Sequence, residues 1–363
     1  MMQRMLNRRS TLKIGTGSLI GATVISGAVR SSGARQATPD ASPIASPVVD
    51  LQGTPGELVV YSGRNEELIG PVITMAEQAA DFAMEVRYGQ TAELAIALLE
   101  EGTGTPASLF IAQDAGALGQ LANEDRLAPL PQEILDRVDP RFRATDGVWV
   151  GVSGRARVLV YNTDMLTEAD MPASLLDLTG ERWAGQVGWA PENGSFQAQV
   201  TAMRQLLGED ATRAWLEAMI ANDPVVFEGN GPIVRAVAAG EIPVGLVNHY
   251  YKWEIQKEEG MELPIENHYF PGGDIGSLVN VAGVGILNDS PDKDSALAMV
   301  DYLTREEAQT YFAETTFEYP LIESVDPAAD VVPLDEIESP DIDLSDLADL
   351  EGTIALLTEV GAL

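Results

Sequence analysis

Residues 57–63, ELVVYSG, form a short apolar run that stops on a glycine. That pattern fits a strand closed by a turn. The chain then repeats it. Residues 66–82 (EELIGPVITMAEQAADF) read as a helix despite Pro71, and 85–88 as a strand broken by Gly89. Residues 91–101 read as a helix closed by Gly102, 107–112 as a third strand, and 113–122 as the next helix. Strands alternating with helices imply βαβ units and a parallel sheet. In open sheets of this kind ligands sit beyond the C-terminal strand ends, which here are residues 62–65, 89–91 and 113–114.

A second set follows. Residues 158–161 and 187–189 read as strands, 195–207 and 210–221 as helices, 243–248 as a strand and 250–259 as a helix. A late strand is expected over 281–287, and one amphipathic helix from Ala296 to about Ala313. Residues 326–342 are acidic and proline-containing, which suits a surface excursion before a last helix near 345–360. The fold class expected is α/β, with two lobes, each a mixed sheet flanked by helices, and a cleft between them. Lobe 1 takes residues 56–156 and 284–325. Lobe 2 takes 157–283 and 326–363. Crossovers near 155–160 and 281–287 would let the lobes close on a ligand.

Composition narrows the function. The chain has 363 residues, 45% hydrophobic and 21% charged, with a net charge of −34. Residues 1–50 hold six of the 22 basic and two of the 56 acidic residues, leaving 16 positive against 54 negative charges in the remainder. Such a surface repels phosphate backbones, so nucleic acid is not an expected partner. There is no cysteine, which removes disulfides, thiolate metal sites and cysteine nucleophiles. The only histidines are His249 and His268, too few for a histidine-built zinc or copper site. No GxSxG elbow is present, and GTGTP at 102–106 lacks the lysine of a phosphate-binding loop. An enzyme is not expected, and a monomer is.

Arg8, Arg9, Ser10, Thr11, Leu12 and Lys13 spell RRxxLK, close to the twin-arginine export pattern. A glycine-rich apolar stretch over 14–29 and small residues up to Ala34 and Ala37 complete a signal segment over 1–37. Residues 38–55 (TPDASPIASPVVDLQGTP) are rich in Pro, Ser and Ala and read as a linker. The expected location is periplasmic or cell-surface, with retention by an uncleaved signal as an open alternative.

The chemistry concentrates at 245–253, GLVNHYYKW. An apolar strand stops, two polar residues follow, and Tyr250 and Tyr251 open a helix. Phenolate is a hard oxygen donor suited to a hard trivalent cation. Two adjacent tyrosines at a strand end can aim into one space, although the spacing alone favours two packing aromatics with hydroxyls at the surface.

This segment resembles the tyrosine pair of the ferric-iron-binding periplasmic proteins, iron-binding members of the type II periplasmic binding protein family. Further blocks carry the same resemblance: YSGRNEEL at 61–68, PASLFIAQDAG at 106–116, WVGVSGRARVLVYN at 149–162, NGSFQAQV at 193–200, GNGPIVRAVAAGEIPVGLVNHYY at 229–251 and TFEYPL at 316–321. It implies the solute-binding component of an ABC importer that hands Fe(3+) to a membrane permease. By this resemblance Tyr250 and Tyr251 would be metal ligands. Asn193, Gly194, Ser195, Asn230 and Asn248 would lie near a synergistic anion, carbonate or phosphate, with Arg155 placed to hold it. Arg155 and Arg157 fit a hinge salt bridge as well. The chain departs from the family pattern at Asn65, where many members have histidine, at Gln113, where they have glutamate, and at Phe196, where some have a third tyrosine. The metal shell would then lean on two phenolates plus anion or water, with Tyr88 and Asp114 as further cleft candidates. The rival reading is the same fold binding another small solute, such as an anion or phosphonate, a polyamine or thiamine.

Overall fold

The computed structural model describes residues 57–80, 83–328 and 330–363; the expected signal segment and linker lie outside them. The first sheet is built from β1 (Glu57–Ser62), α1 (Glu66–Ala80), β2 (Ala83–Tyr88), α2 (Thr91–Glu101), β3 (Leu109–Ala112) and α3 (Ala115–Asn123). A short α4 (Gln132–Leu135) leads into β4 (Trp149–Asn162). The second sheet adds β5 (Val187–Trp189), α5 (Gly194–Leu207), α6 (Glu209–Ala221), β6 (Val225–Val226), α7 (Asn230–Ala238), β7 (Val244–Asn248), α8 (Tyr251–Glu259) and β8 (Ile265–His268). Then β9 (Val279–Ile286), α9 (Lys293–Leu303) and α10 (Glu306–Glu314) return to the first sheet, and α11 (Leu350–Val360) ends the chain.

Strand order is β2-β1-β3-β9-β4-β7-β5-β6, with β8 also on β4. β1 pairs parallel with β2 and β3, as the alternating pattern predicts. β3 is buried along its whole length, the signature of a parallel strand covered on both faces. β9 runs antiparallel to β3 and to the first half of β4, so each sheet is mixed.

β4 joins the two sheets. Trp149 to Ala156 pair with β9, and Arg157 to Asn162 pair with β7 and β8. A register shift between Gly151 and Ser153 marks a bulge just before that change of partner. Only 158–161 are read as strand from sequence. Ser153, Gly154, Arg155 and Arg157 interrupt the apolar run there, yet all 14 residues of β4 are buried. Gly151 and Gly154 are required by a close neighbour: a Cβ on Gly151 would lie 2.7 Å from Leu321 Cδ1, and one on Gly154 3.0 Å from Tyr319 Cβ. The segment 316–321 therefore lies directly on β4, held by reciprocal backbone bonds between Gly154 and Tyr319, each 2.8 Å.

The helix expected over 296–313 is two helices. Thr304 turns its hydroxyl onto the carbonyls of Val300 and Asp301, and Arg305 is extended, so the chain breaks between α9 and α10 while the apolar period continues. α7 is not anticipated by the sequence reading, because Gly231 and Pro232 in its first turn read as breakers. It packs Ile233 onto Gly245 of β7, where an added Cβ would come within 2.1 Å of Ile233 Cγ2. Gly245→Ala is expected to cost about 1–3 kcal/mol by overpacking, read as a lower urea midpoint with an unchanged slope. An unchanged midpoint would show that α7 is not seated on β7 as described.

Candidate functional site

A cavity of about 480 Å3 opens where the C-terminal ends of both sheets meet. Three strand ends of the first sheet reach it, through Gly63 and Asn65, Gln90 and Thr91, and Gln113 and Asp114. The second sheet supplies the start of α5 with Asn193, Gly194 and Ser195, the start of α7 with Asn230, and the end of β7 with Asn248, Tyr250 and Tyr251. A larger hollow of about 550 Å3 between α8 and α10 is lined by Trp253 and Phe317 but by none of the expected metal- or anion-binding residues.

Tyr250 and Tyr251 lie where β7 passes into α8. Their rings stack at 4.6 Å between centroids and both line the cavity. Tyr250 is 1% exposed. Burial pushes both phenols above their ordinary range, and for Tyr251 the neighbouring Tyr250 adds to it. The helix start alone does not ionise them: at neutral pH, with nothing bound, both are phenols.

Two buried guanidiniums, Arg155 and Arg157, do not line the cavity themselves but bond to two residues that do, Ser195 and Asn248. Arg155 donates from Nε to Ser195 Oγ at 3.2 Å, while Nη1 and Nη2 find no protein partner. Arg157 donates from Nε to Gln199 Oε1 at 3.2 Å and from Nη1 to Asn248 Oδ1 at 3.1 Å, leaving Nη2 unpaired. Among the described residues neither hydrogen-bonds a carboxylate, so the hinge salt bridge read as an alternative for them is not formed. Burial lowers both, Arg157 to about 9, which leaves it cationic at neutral pH. Buried cations with free donors are costly unless an anion meets them.

Arg157 also fixes its neighbour. A guanidinium only donates, so Asn248 must turn Oδ1 toward it. The amide nitrogen then faces Ser195 Oγ at 3.1 Å and Tyr250 Oη at 3.4 Å, and donates to both. A donor aimed at the phenol oxygen favours its ionised form.

Asp114 caps α3, accepting from Gly116 N and Ala117 N, and is buried; burial raises its carboxyl while Arg155 opposes the rise. Its Oδ2 comes to 3.9 Å from the Cβ position of Gly194, so it faces the start of α5 across the cavity. Asn193 caps α5 through Ser195 N at 3.1 Å. Asn65 and Gln113 border the cavity as neutral groups. Phe196 packs edge-on against Trp189 at 5.4 Å in the core and offers no donor. Tyr88 is not in this cleft: β2 alternates its side chains, and Tyr88 shares the face of Met84 and Val86, in a separate hollow against Pro71 and Ile73 of α1.

Sequence reasoning did not assign Arg64, Ser153 or Glu318. Arg64 and Glu318 form a bidentate pair at 2.9 and 2.7 Å with no solvent exposure, and Ser153 and Thr316 bond the same carboxylate. His249 accepts from Ala156 N at Nδ1, 3.2 Å, and its Nε2 meets Phe317 O at 2.9 Å while the ring stacks on Tyr319 at 4.3 Å. Burial lowers His249 to about 3, so it is neutral and its Nε2–H is the donor. The pairing ties the residue before Tyr250 to the segment 316–321 and to β4 where the sheets meet. Arg64, Ser153 and Glu318 fall inside the blocks YSGRNEEL, WVGVSGRARVLVYN and TFEYPL, and that membership was the only signal for them.

Among the described residues no three His, Asp or Glu side chains cluster as a metal site, and no helix is long and apolar enough to cross a membrane. Comparison with known proteins gives a consistent set of relatives. Residues 104–341 match the family model described as bacterial extracellular solute-binding protein. The Fe(3+)-binding periplasmic protein of Serratia marcescens is 32% identical over 308 residues, 84% of this chain and 90% of the relative. The major ferric iron-binding protein of Neisseria meningitidis serogroup B is 29% identical over 84% of this chain and 93% of the relative. Iron-bound HitA from Pseudomonas aeruginosa superposes with a TM-score of 0.81 at 31% identity, covering 85% of this chain and all of the other.

Proposed function

This chain belongs to the bacterial extracellular solute-binding proteins, and from that premise we propose that it is the ferric-iron-binding component of an ABC importer. It captures Fe(3+) through Tyr250 and Tyr251 outside the cytoplasm and delivers it to a membrane permease. The observation that carries this reading is the stacked tyrosine pair facing the cavity between the two sheets, with two guanidiniums that keep free donors bonded to the cavity residues Ser195 and Asn248.

Ferric iron is cargo here. Two adjacent phenol oxygens suit a hard trivalent cation, and Asn248 is set to donate to one of them. Two phenolates leave one positive charge on the metal, and Arg155 and Arg157 add two more. A small oxyanion such as carbonate or phosphate supplies the missing negative charge and additional oxygen ligands. It meets the free Nη groups together with Ser195, Asn230 and the start of α5. Asn230 Nδ2 is buried and unpaired, so it has a donor to spend on such an anion. Asn65 and Gln113 place only neutral groups opposite, so the first sheet closes over the bound metal without adding charge from those positions. This is capture and release rather than catalysis.

The protonation state sets a pH dependence. Because burial holds both tyrosines protonated at neutral pH, binding must displace their protons, and affinity falls as pH falls. The logarithm of ferric affinity, corrected for metal and anion speciation, is expected to change by about two per pH unit below pH 7. A flat profile would remove the tyrosines from the shell. A different small anion as sole cargo is the second reading, favoured only by the free Arg155 and Arg157 donors. It predicts that the anion binds equally well with and without iron.

A further inference from the structure

The C-terminal segment touches both halves of the cleft. Its 3-10 turn Leu344–Ala348 lies on α3, which belongs to the first sheet. A Cβ on Gly116 would stand 2.3 Å from Leu347 O, and one on Gly119 would stand 2.9 Å from Ser345 O and 3.3 Å from Ala348 Cβ. Glycine at both positions lets the turn's backbone rest directly on the helix. The following α11 is fastened to the second sheet. Thr353 Oγ1 and Thr201 Oγ1 of α5 are 2.7 Å apart, Arg204 bonds Asp349 through its carbonyl at 3.1 Å and its carboxylate at 2.9 Å, and Arg213 of α6 pairs with Glu359 at 2.7 Å. Between these anchors Leu347, Leu350 and Ile354 form an apolar wall of the cavity.

We infer that residues 343–360 are a strap across the mouth of the cleft, holding the two sheets together and retaining the bound solute. The two anchors differ in kind. On α5 and α6 the strap is held by hydrogen bonds and ion pairs. On the first-sheet side it is held by close backbone packing on α3 and by one exposed hydrogen bond, from Thr145 Oγ1 to Asp343 Oδ2 at 3.1 Å. Any opening about β4 and β9 must separate one of them, and the packed contact on α3 is the one that parts. The apolar wall offers nothing to an extended, many-charged chelate, so the strap also confines the cavity to a small cargo. It is a third wall of the site, built from residues far from the tyrosines in sequence.

The inference rests on the proposed function only for the identity of what is retained. The chain has no cysteine, so Gly119→Cys with Ala348→Cys introduces the only two thiols; an outward shift of the turn by a few tenths of an ångström relieves the 2.9 Å approach to Ser345 O and brings the 3.3 Å Cβ spacing into the range of about 3.5–4.5 Å that a disulfide requires. In metal-free full-length protein the pair should oxidise readily. Small-angle scattering should then give a smaller radius of gyration for the oxidised than for the reduced form. In the ferric-loaded protein a chelator should extract iron about tenfold more slowly when the disulfide is closed. Failure of the thiols to pair, or equal scattering in the two redox states, overturns the strap without touching the iron reading. Altered scattering with no ferric colour in either state supports the strap and counts against iron.

Discussion

Replacing Tyr250 and Tyr251 together by phenylalanine should abolish the orange-red phenolate-to-iron absorption and weaken ferric binding at least about a thousandfold, near 4 kcal/mol. Each single variant should retain a weaker, shifted band. The reasoning is one of donor chemistry. Two phenolates are the anionic protein oxygens that this reading places on the metal, while Asn65 and Gln113 offer only neutral carbonyls. The fold should survive. Tyr250 Oη has a single long bond, at 3.4 Å from Asn248, and the ring stack on Tyr251 is kept by phenylalanine. The double variant is therefore expected to unfold within about 1 kcal/mol of the parent. Unchanged affinity in a folded double variant would leave the tyrosines as packing aromatics, which was the competing reading of GLVNHYYKW.

The second large effect concerns stability. Arg64→Met or Glu318→Gln should each destabilise the protein by about 3–5 kcal/mol, because either change strands a fully buried charge. Glu318 loses two bonds from Arg64 and keeps only Ser153 and Thr316. Burial would raise the carboxyl, but its ion pair with Arg64 outweighs that and holds it below its usual range. The double variant Arg64→Met with Glu318→Gln should be less destabilised than the sum of the singles, since it leaves no orphan charge. Thermal unfolding reads the difference as a drop of about 10 °C for the singles. Additive losses would mean that the two side chains do not act as a pair. The pair also anchors 316–321, which His249 grips from the residue beside Tyr250, so the singles should bind iron more weakly as well.

The alternation of strands and helices was legible because apolar runs in the first half end on glycines at the turns, as at Gly63, Gly89 and Gly102. What escaped the sequence reading has physical causes. β4 looked interrupted because Arg155 and Arg157 are polar, yet they are buried: their stems lie in the strand and their donors point toward the site. α9 and α10 looked continuous because helical spacing survives the two-residue break at Thr304 and Arg305. Tyr88 sits at a strand end, but side-chain alternation on β2 sends it to the face packed on α1. The tyrosine pair was readable from a strand end running into a helix start. The Arg64–Glu318 pair was not, because its members are 254 residues apart and meet only through the completed fold. The strap was out of reach for the same reason: 326–342 does read as acidic surface, but nothing local says that the helix after it closes a cavity.

The measurement that bears most directly on the account is diffraction from crystals of the ferric-loaded protein at the iron absorption edge. One strong anomalous peak is expected in the cavity between the sheets, within bonding distance of both Tyr250 Oη and Tyr251 Oη, with an oxyanion between the metal and Arg155. A peak elsewhere, or a loaded cavity with both hydroxyls turned away from the metal, would contradict it.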